Sequence, residues 1–99
     1  MKKDTKILAD QCESVAGLLK AIAHPQRLKI LCSLSEGQKS VSELEAYCGA
    51  SQSSVSQYLA KMKSEGLLSS RREAQQVFYK IHSPDLIKLM RSMQKIFCG

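Results

Sequence analysis

Between Ser40 and Gly66 the chain encodes two short helices with almost no chain between them, and few folds accommodate that. Ser40-Val41-Ser42-Glu43 forms a capping box. The serine oxygen can accept the backbone N–H three residues on, while Glu43 reaches back to the N–H of Ser40. The helix so opened is expected to turn Val41, Leu44 and Tyr47 inward. Cys48-Gly49-Ala50 supplies the turn, with Gly49 able to take positive φ. Ser51 then caps a further helix over residues 52–65, which Gly66 stops. Two short helices joined by a tight glycine-containing turn make a helix-turn-helix.

The second of these helices is two-faced. Val55, Leu59 and Met62 recur at i, i+4 and i+7 and form one apolar stripe. The other face carries Gln52, Ser53, Ser54, Ser56, Gln57 and Lys61, with Ser51 at its start. A merely solvated face is usually rich in Glu and Lys paired along the helix. Short hydroxyl and amide side chains with one cation instead suit close approach to a DNA major groove. They offer donors and acceptors to base edges and phosphates.

The flanking segments complete a pattern. A helical stripe runs over residues 4–23 through Leu8, Val15, Leu18, Leu19 and Ile22. His24-Pro25 breaks it, and Pro25 suits the first position of the next helix, over residues 25–34. Ser35-Glu36-Gly37 ends that helix. After Gly66 the period becomes extended, with strands expected over 67–72 and 76–82 and Glu73-Ala74-Gln75 between them. Arg71, Arg72 and Gln75 near that tip are placed to meet a phosphate backbone or a minor groove. Ser83 and Pro84 open a last helix bearing Leu86, Ile87, Leu89, Met90, Met93, Ile96 and Phe97. So apolar a terminal helix needs more cover than a small core provides, and pairing with the first helix across a two-fold axis supplies it. The expected fold is mainly α with a small β-hairpin. It is a winged helix-turn-helix of about five helices plus a two-stranded wing, dimerising through its first and last helices.

Ninety-nine residues fit one domain, residues 1–99. The 15 Lys+Arg against 9 Asp+Glu give a net charge of +6, which favours a polyanionic partner through counterion release. No apolar run is long enough to span a bilayer, and Met1-Lys2-Lys3-Asp4 is not followed by a signal-peptide core. A cytoplasmic protein with no membrane partner is expected. Cys12, Cys32, Cys48 and Cys98 are then expected as reduced thiols, and no C-x-x-C occurs. No cysteine beside a fixed base suggests an enzyme. A winged helix docking on protein would need an apolar or acidic recognition face, which the Ser, Gln and Lys residues do not make.

The order of elements and the residues together resemble the ArsR family of bacterial repressors. The resemblance rests on His24-Pro25-Gln26-Arg27-Leu28-Lys29-Ile30-Leu31, Val41-Ser42-Glu43-Leu44 and the run from Ser51 to Leu59. It continues with Gly66-Leu67-Leu68 and Val77-Phe78-Tyr79. Tyr58 departs from it, since histidine is common there. The resemblance implies a homodimeric repressor on duplex operator DNA. Many family members sense metals or metalloids, and a metal-responsive repressor is the alternative function. The family's Cys-x-Cys in the third helix is replaced here by Val41-Ser42-Glu43-Leu44, and Asp85 of the last helix has no histidine after it. Neither metal ligands nor a cofactor are therefore expected.

Cys32, Cys98 and Arg71-Arg72-Glu73-Ala74-Gln75 are similar to the HlyU, SqrR and BigR branch of the family. The resemblance implies that Cys32 and Cys98 are a redox-sensing pair. A small reactive sulfur species or oxidant would bridge them and weaken DNA binding. A sensor thiol needs access and a lowered pKa, for which Arg27, Lys29 and Lys95 are the basic neighbours in sequence. Cys12 is expected at an interface or surface, and Cys48 in the core.

Overall fold

A computed structural model describes residues 9–49 and 51–98, with the side chains of Gln52 and Ser53 outside the description. The start of the first expected helix, Leu8 of its stripe, and Ala50 of the turn lie outside the described residues. Five helices follow in order among them. These are α1 (Cys12–Ile22), α2 (Pro25–Leu34), α3 (Val41–Cys48), α4 (Gln52–Ser64) and α5 (Pro84–Cys98). Strand β1 (Lys39–Ser40) precedes α3, and β2 (Leu68–Glu73) and β3 (Gln76–Ile81) form a hairpin between α4 and α5.

Local chemistry sets the helix ends. His24 Nδ1 accepts the Gln26 N–H at 3.2 Å, and Pro25 takes the first turn of α2, where a missing N–H costs nothing. The capping box forms: Glu43 N–H donates to Ser40 Oγ at 3.1 Å and Ser40 N–H to Glu43 Oε1 at 2.9 Å. The Ser40 N–H, and then the Ser40 side chain, hold the Glu43 carboxyl below its usual range. Gly49 takes φ +63° directly after α3, where a Cβ would be strained, and so lets the chain reverse into α4. Ser51 caps α4 by accepting the Ser54 N–H at 3.3 Å, and Ser83 caps α5 by accepting the Leu86 N–H at 3.2 Å.

The core joins all five helices to the hairpin. Ile30 and Leu31 of α2, Leu44 of α3, Leu59 and Met62 of α4, and Leu86 and Met90 of α5 are fully buried. Ala21 and Ile22 of α1 and Leu68 and Ile81 of the hairpin close its edges. The expected stripe of α4 is the one buried. Tyr47 is a correction. The residue is 56% exposed, because α3 is only eight residues long and its inward face is filled by Leu44 and Cys48. Leu19 of the first stripe is likewise exposed.

The hairpin is antiparallel, from Leu68 opposite Ile81 to Glu73 opposite Gln76. Its turn lacks glycine or asparagine, and Ala74 takes the left-handed conformation at φ +56°. The two-residue β1 adds to the far side of β3, pairing Lys39 with Tyr79 and Ser40 with Phe78, in sheet order β1-β3-β2. Two residues before a capping box give no alternation to read, so the sequence does not announce this strand.

Candidate nucleic-acid interface and thiol pair

The exposed face of α4 presents Ser56, Gln57 and Lys61 to solvent. They stand opposite Val55, Leu59 and Met62, whose burial fixes the rotation of the helix. Ser51 and Ser54 serve the helix end, with Ser51 Oγ 3.0 Å from Ser54 Oγ and each hydroxyl engaged by the other. Tyr58 leans back toward α2, its hydroxyl 3.4 Å from His24 Nε2 and the two rings 5.1 Å apart. The N-terminal end of α2 is thereby tied to the middle of α4.

The wing arginines separate, because neighbours on a strand point to opposite faces. Arg71 lies over its cross-strand neighbour Phe78, with the guanidinium carbon 4.9 Å from the ring centre. It also donates to Gln38 Oε1 at 3.3 Å and pairs with Glu73. Arg72 shares a face with Ser70, whose hydroxyl accepts from Lys63 Nζ of α4 at 2.7 Å. That bond ties the wing to α4 and puts Arg72 on the α4 side. Arg72 makes no side-chain hydrogen bond or ion pair among the described residues, and Gln75 is exposed at the tip. Reading Arg71 and Arg72 as equivalent misses this division, which strand parity and the Phe78 ring explain.

The thiols form a second locality. Cys32 is half-buried on α2, Cys98 is exposed at the end of α5, Cys48 is buried on α3 and Cys12 is exposed on α1. Burial, and then the neighbouring Cys98, hold the Cys32 thiol above its usual range. The expected lowering by Arg27, Lys29 and Lys95 is not found: burial and then the second thiol set the direction at Cys32. Lys29 acts instead on Cys48, where it only partly offsets burial. Tyr47 borders the same place, its phenol raised by partial burial and then by Cys32, Glu36, Cys48 and Cys98.

A polar link that sequence reasoning did not single out joins the two helices of the pair. Gln94 Nε2 of α5 donates to Ser35 Oγ at 3.0 Å, and Ser35 Oγ donates to the Cys32 carbonyl at 2.7 Å. Glutamine on an apolar helix one turn before Cys98 was the available signal. Among the described residues no group of three or more His, Cys, Asp or Glu is gathered as a metal would need. Nor is any helix long and apolar enough to cross a membrane.

Residues 24–70 match the family model described as bacterial regulatory protein, arsR family. A biofilm growth-associated repressor of Agrobacterium fabrum is 42% identical over 85 residues, covering 86% of this chain and 73% of that protein. The chain belongs to the ArsR family. Its fold is that of the transcriptional repressor BigR from Xylella fastidiosa, with a TM-score of 0.87 at 34% identity over 100% of this chain and 98% of that one. HlyU from Vibrio cholerae superposes with a TM-score of 0.83 at 38% identity, covering 91% of this chain and 97% of that one. The chain is thus a winged helix-turn-helix transcriptional regulator of the BigR and HlyU type, and not an enzyme. In that fold α3 and α4 are the helix-turn-helix and β2–β3 the wing. ArsR regulators are typically homodimers.

Proposed function

We propose that this ArsR regulator is a cytoplasmic homodimeric repressor that leaves its operator when sulfur or oxidation bridges Cys32 and Cys98. The observation that carries the reading is the meeting of the two helix ends: Gln94 of α5, four residues before Cys98, donates to Ser35, three residues after Cys32. Two thiols 66 residues apart in sequence lie close enough for one to raise the other's pKa. Ser56, Gln57 and Lys61 of α4 enter the major groove with the helix start at Ser51, Gln52, Ser53 and Ser54. Arg72 and Gln75 of the wing follow the backbone, with Arg71 held as a support for the hairpin. Leu19 of α1 and Ile96 and Phe97 of α5, the latter two 71% and 77% exposed, are the apolar surface that a second copy covers.

Access favours Cys98 as the first nucleophile, since Cys32 is half-buried and harder to ionise. With a low-molecular-weight persulfide, the Cys98 thiolate takes the outer sulfur and expels a thiolate. The Cys32 thiolate then attacks Cys98 Sγ, closing a disulfide and releasing hydrosulfide. If both cysteines carry an added sulfur, attack of one terminal sulfur on the other Sγ closes a trisulfide and again releases hydrosulfide.

The test is a duplex-binding titration of reduced protein, repeated after persulfide, after peroxide and with zinc, with mass spectrometry to locate the linkage. Release by persulfide or peroxide that disappears in both Cys32→Ser and Cys98→Ser is the expected result. Release that persists in those variants, or release by zinc alone, would overturn the dithiol mechanism. Reduced protein with no salt-dependent affinity for any duplex would overturn the DNA-binding assignment.

A further inference from the structure

We infer that Gln94 and Ser35 are positioning residues that set the separation of the Cys32 and Cys98 thiols, and with it the length of sulfur bridge the pair accepts. The inference rests on the reading of those cysteines as the reacting pair.

The geometry is a clamp of two hydrogen bonds in series. Gln94 Nε2 donates to Ser35 Oγ at 3.0 Å, and Ser35 Oγ donates onward to the carbonyl of Cys32 at 2.7 Å. Both bonds are partly buried, where water competes poorly with them. Gln94 and Cys98 are four residues apart on α5, so they share a face about 6 Å apart along the axis. Ser35 caps α2 and lies three residues past Cys32, about 4.5 Å along that axis. The helices run in opposite senses here. Ile87 and Arg91 line a cleft with residues 34–38 at and just beyond the end of α2, Gln94 meets Ser35, and Cys98 acts on Cys32. Stepping one turn from the clamp, forward along α5 and backward along α2, therefore moves the same way in space and arrives at the two thiols together.

The clamp has work to do because, within one protomer, little else of the core reaches the end of α5. Leu86 and Met90 are fully buried, but Ile96, Phe97 and Cys98 past the clamp are exposed. Among the described residues, the bond from Gln94 to Ser35 is the last side-chain hydrogen bond between α5 and the end of α2 before the thiol. A disulfide requires the two Cα atoms within about 4.4–6.8 Å, whereas each inserted sulfur relaxes that demand. A pinned helix end admits a narrow range of bridge lengths, and a released one admits several.

Two reactions read this out. With hydrogen peroxide, the Cys98 thiolate attacks one oxygen, the O–O bond breaks and hydroxide leaves, giving a sulfenic acid. The Cys32 thiolate then attacks that sulfur and expels a second hydroxide, so two thiolates lose two electrons and peroxide gains them. With glutathione persulfide, closure follows the sulfur-transfer route above.

The experiment compares full-length wild type, Gln94→Ala, Ser35→Ala and Ser35→Thr, which keeps the hydroxyl. Intact-mass and peptide spectra give the distribution of disulfide, trisulfide and tetrasulfide between Cys32 and Cys98 after glutathione persulfide. Quenched time points give the closure rate with peroxide. Wild type and Ser35→Thr should give one dominant bridge. Gln94→Ala and Ser35→Ala should spread over at least two lengths and close the disulfide about tenfold more slowly, the weight of one net hydrogen bond. Reduced Gln94→Ala should bind a random duplex like wild type, which separates positioning from unfolding. If wild type bridges and Gln94→Ala gives the same distribution and rate, the clamp is refuted and the dithiol reading stands. If wild type forms no Cys32–Cys98 linkage, both fall.

Discussion

The division of labour between Arg71 and Arg72 makes a quantitative prediction that needs no knowledge of the operator. Arg71 is held by Phe78, Gln38 and Glu73, whereas Arg72 sits on the face tied to α4 by Lys63 and Ser70. Binding to a random duplex is almost wholly electrostatic, and each phosphate neutralised adds about 0.9 to the slope of log K against log salt. One contact per protomer makes two per dimer, so Arg72→Ala should lower that slope by roughly 1.8. Over a fourfold rise in salt, from about 50 to 200 mM, the wild type should then lose roughly tenfold more affinity than the variant. Arg71→Ala should change the slope by less than half as much. Fluorescence anisotropy with a labelled random duplex at five salt concentrations measures both. A slope in Arg71→Ala that falls as far as in Arg72→Ala would show that the strand-parity assignment is wrong. An unchanged slope in Arg72→Ala would remove the wing from the interface.

Five further outcomes are expected. Ser40→Ala should cost about 1 kcal/mol in urea unfolding through loss of the α3 cap. Because Glu43 is held below its usual range in the folded state, its contribution is complete at neutral pH and lost as pH falls through that lowered value. Glu43→Gln should therefore flatten the acid limb of a stability–pH curve. Ala74→Gly should stabilise the hairpin by about 0.5 kcal/mol, since a left-handed alanine costs roughly 1 kcal/mol and glycine gives part of that back in chain entropy. A lower urea midpoint would refute it. Met62→Ala should cost about 2–5 kcal/mol from a fully buried site, with calorimetry as the check. The pH profile of Cys32 alkylation should lie above the usual thiol range and move partly back in Cys98→Ser, leaving the share due to burial.

What could be read from the chain was local. Caps at Ser40, Ser51 and Ser83, the turn at Gly49 and the stripe of Val55, Leu59 and Met62 each depend on residues within about two turns of one another, and each formed. What could not be read depended on tertiary neighbours. Tyr47 follows an inward spacing yet is exposed, because a helix of only eight residues had its inward face already filled. β1 exists only because β3 offers an edge to Lys39 and Ser40. The sign of the Cys32 shift was misjudged for the same reason: basic residues close in sequence were counted, while the thiol answers to burial and to a residue 66 positions away.

The placement of the thiols also bears on how a bridge could reach the groove. Cys32 shares α2 with Ile30, Leu31 and Leu34, which are locked in the core. The N-terminal end of the same helix touches α4 through His24 and Tyr58. Close-packed interiors move as blocks rather than deform smoothly, so a pull at Cys32 tilts α2 instead of bending it. Cys98 lies at the other end of the pull, next to Ile96 and Phe97 on the surface assigned to the partner copy. A bridge therefore acts at once on the helix behind the reading head and on the helix that sets the distance between the two heads. Successive major grooves are about 34 Å apart, and a dimer must match that spacing with both heads together. A small rotation at each α5 is doubled across the two-fold axis, so release needs no unfolding. If it occurs this way, the bridged protein should keep its helix content and its dimer mass while losing the duplex, which circular dichroism and light scattering on one sample would decide. A bridged protein that is monomeric would place the switch in the dimer interface itself.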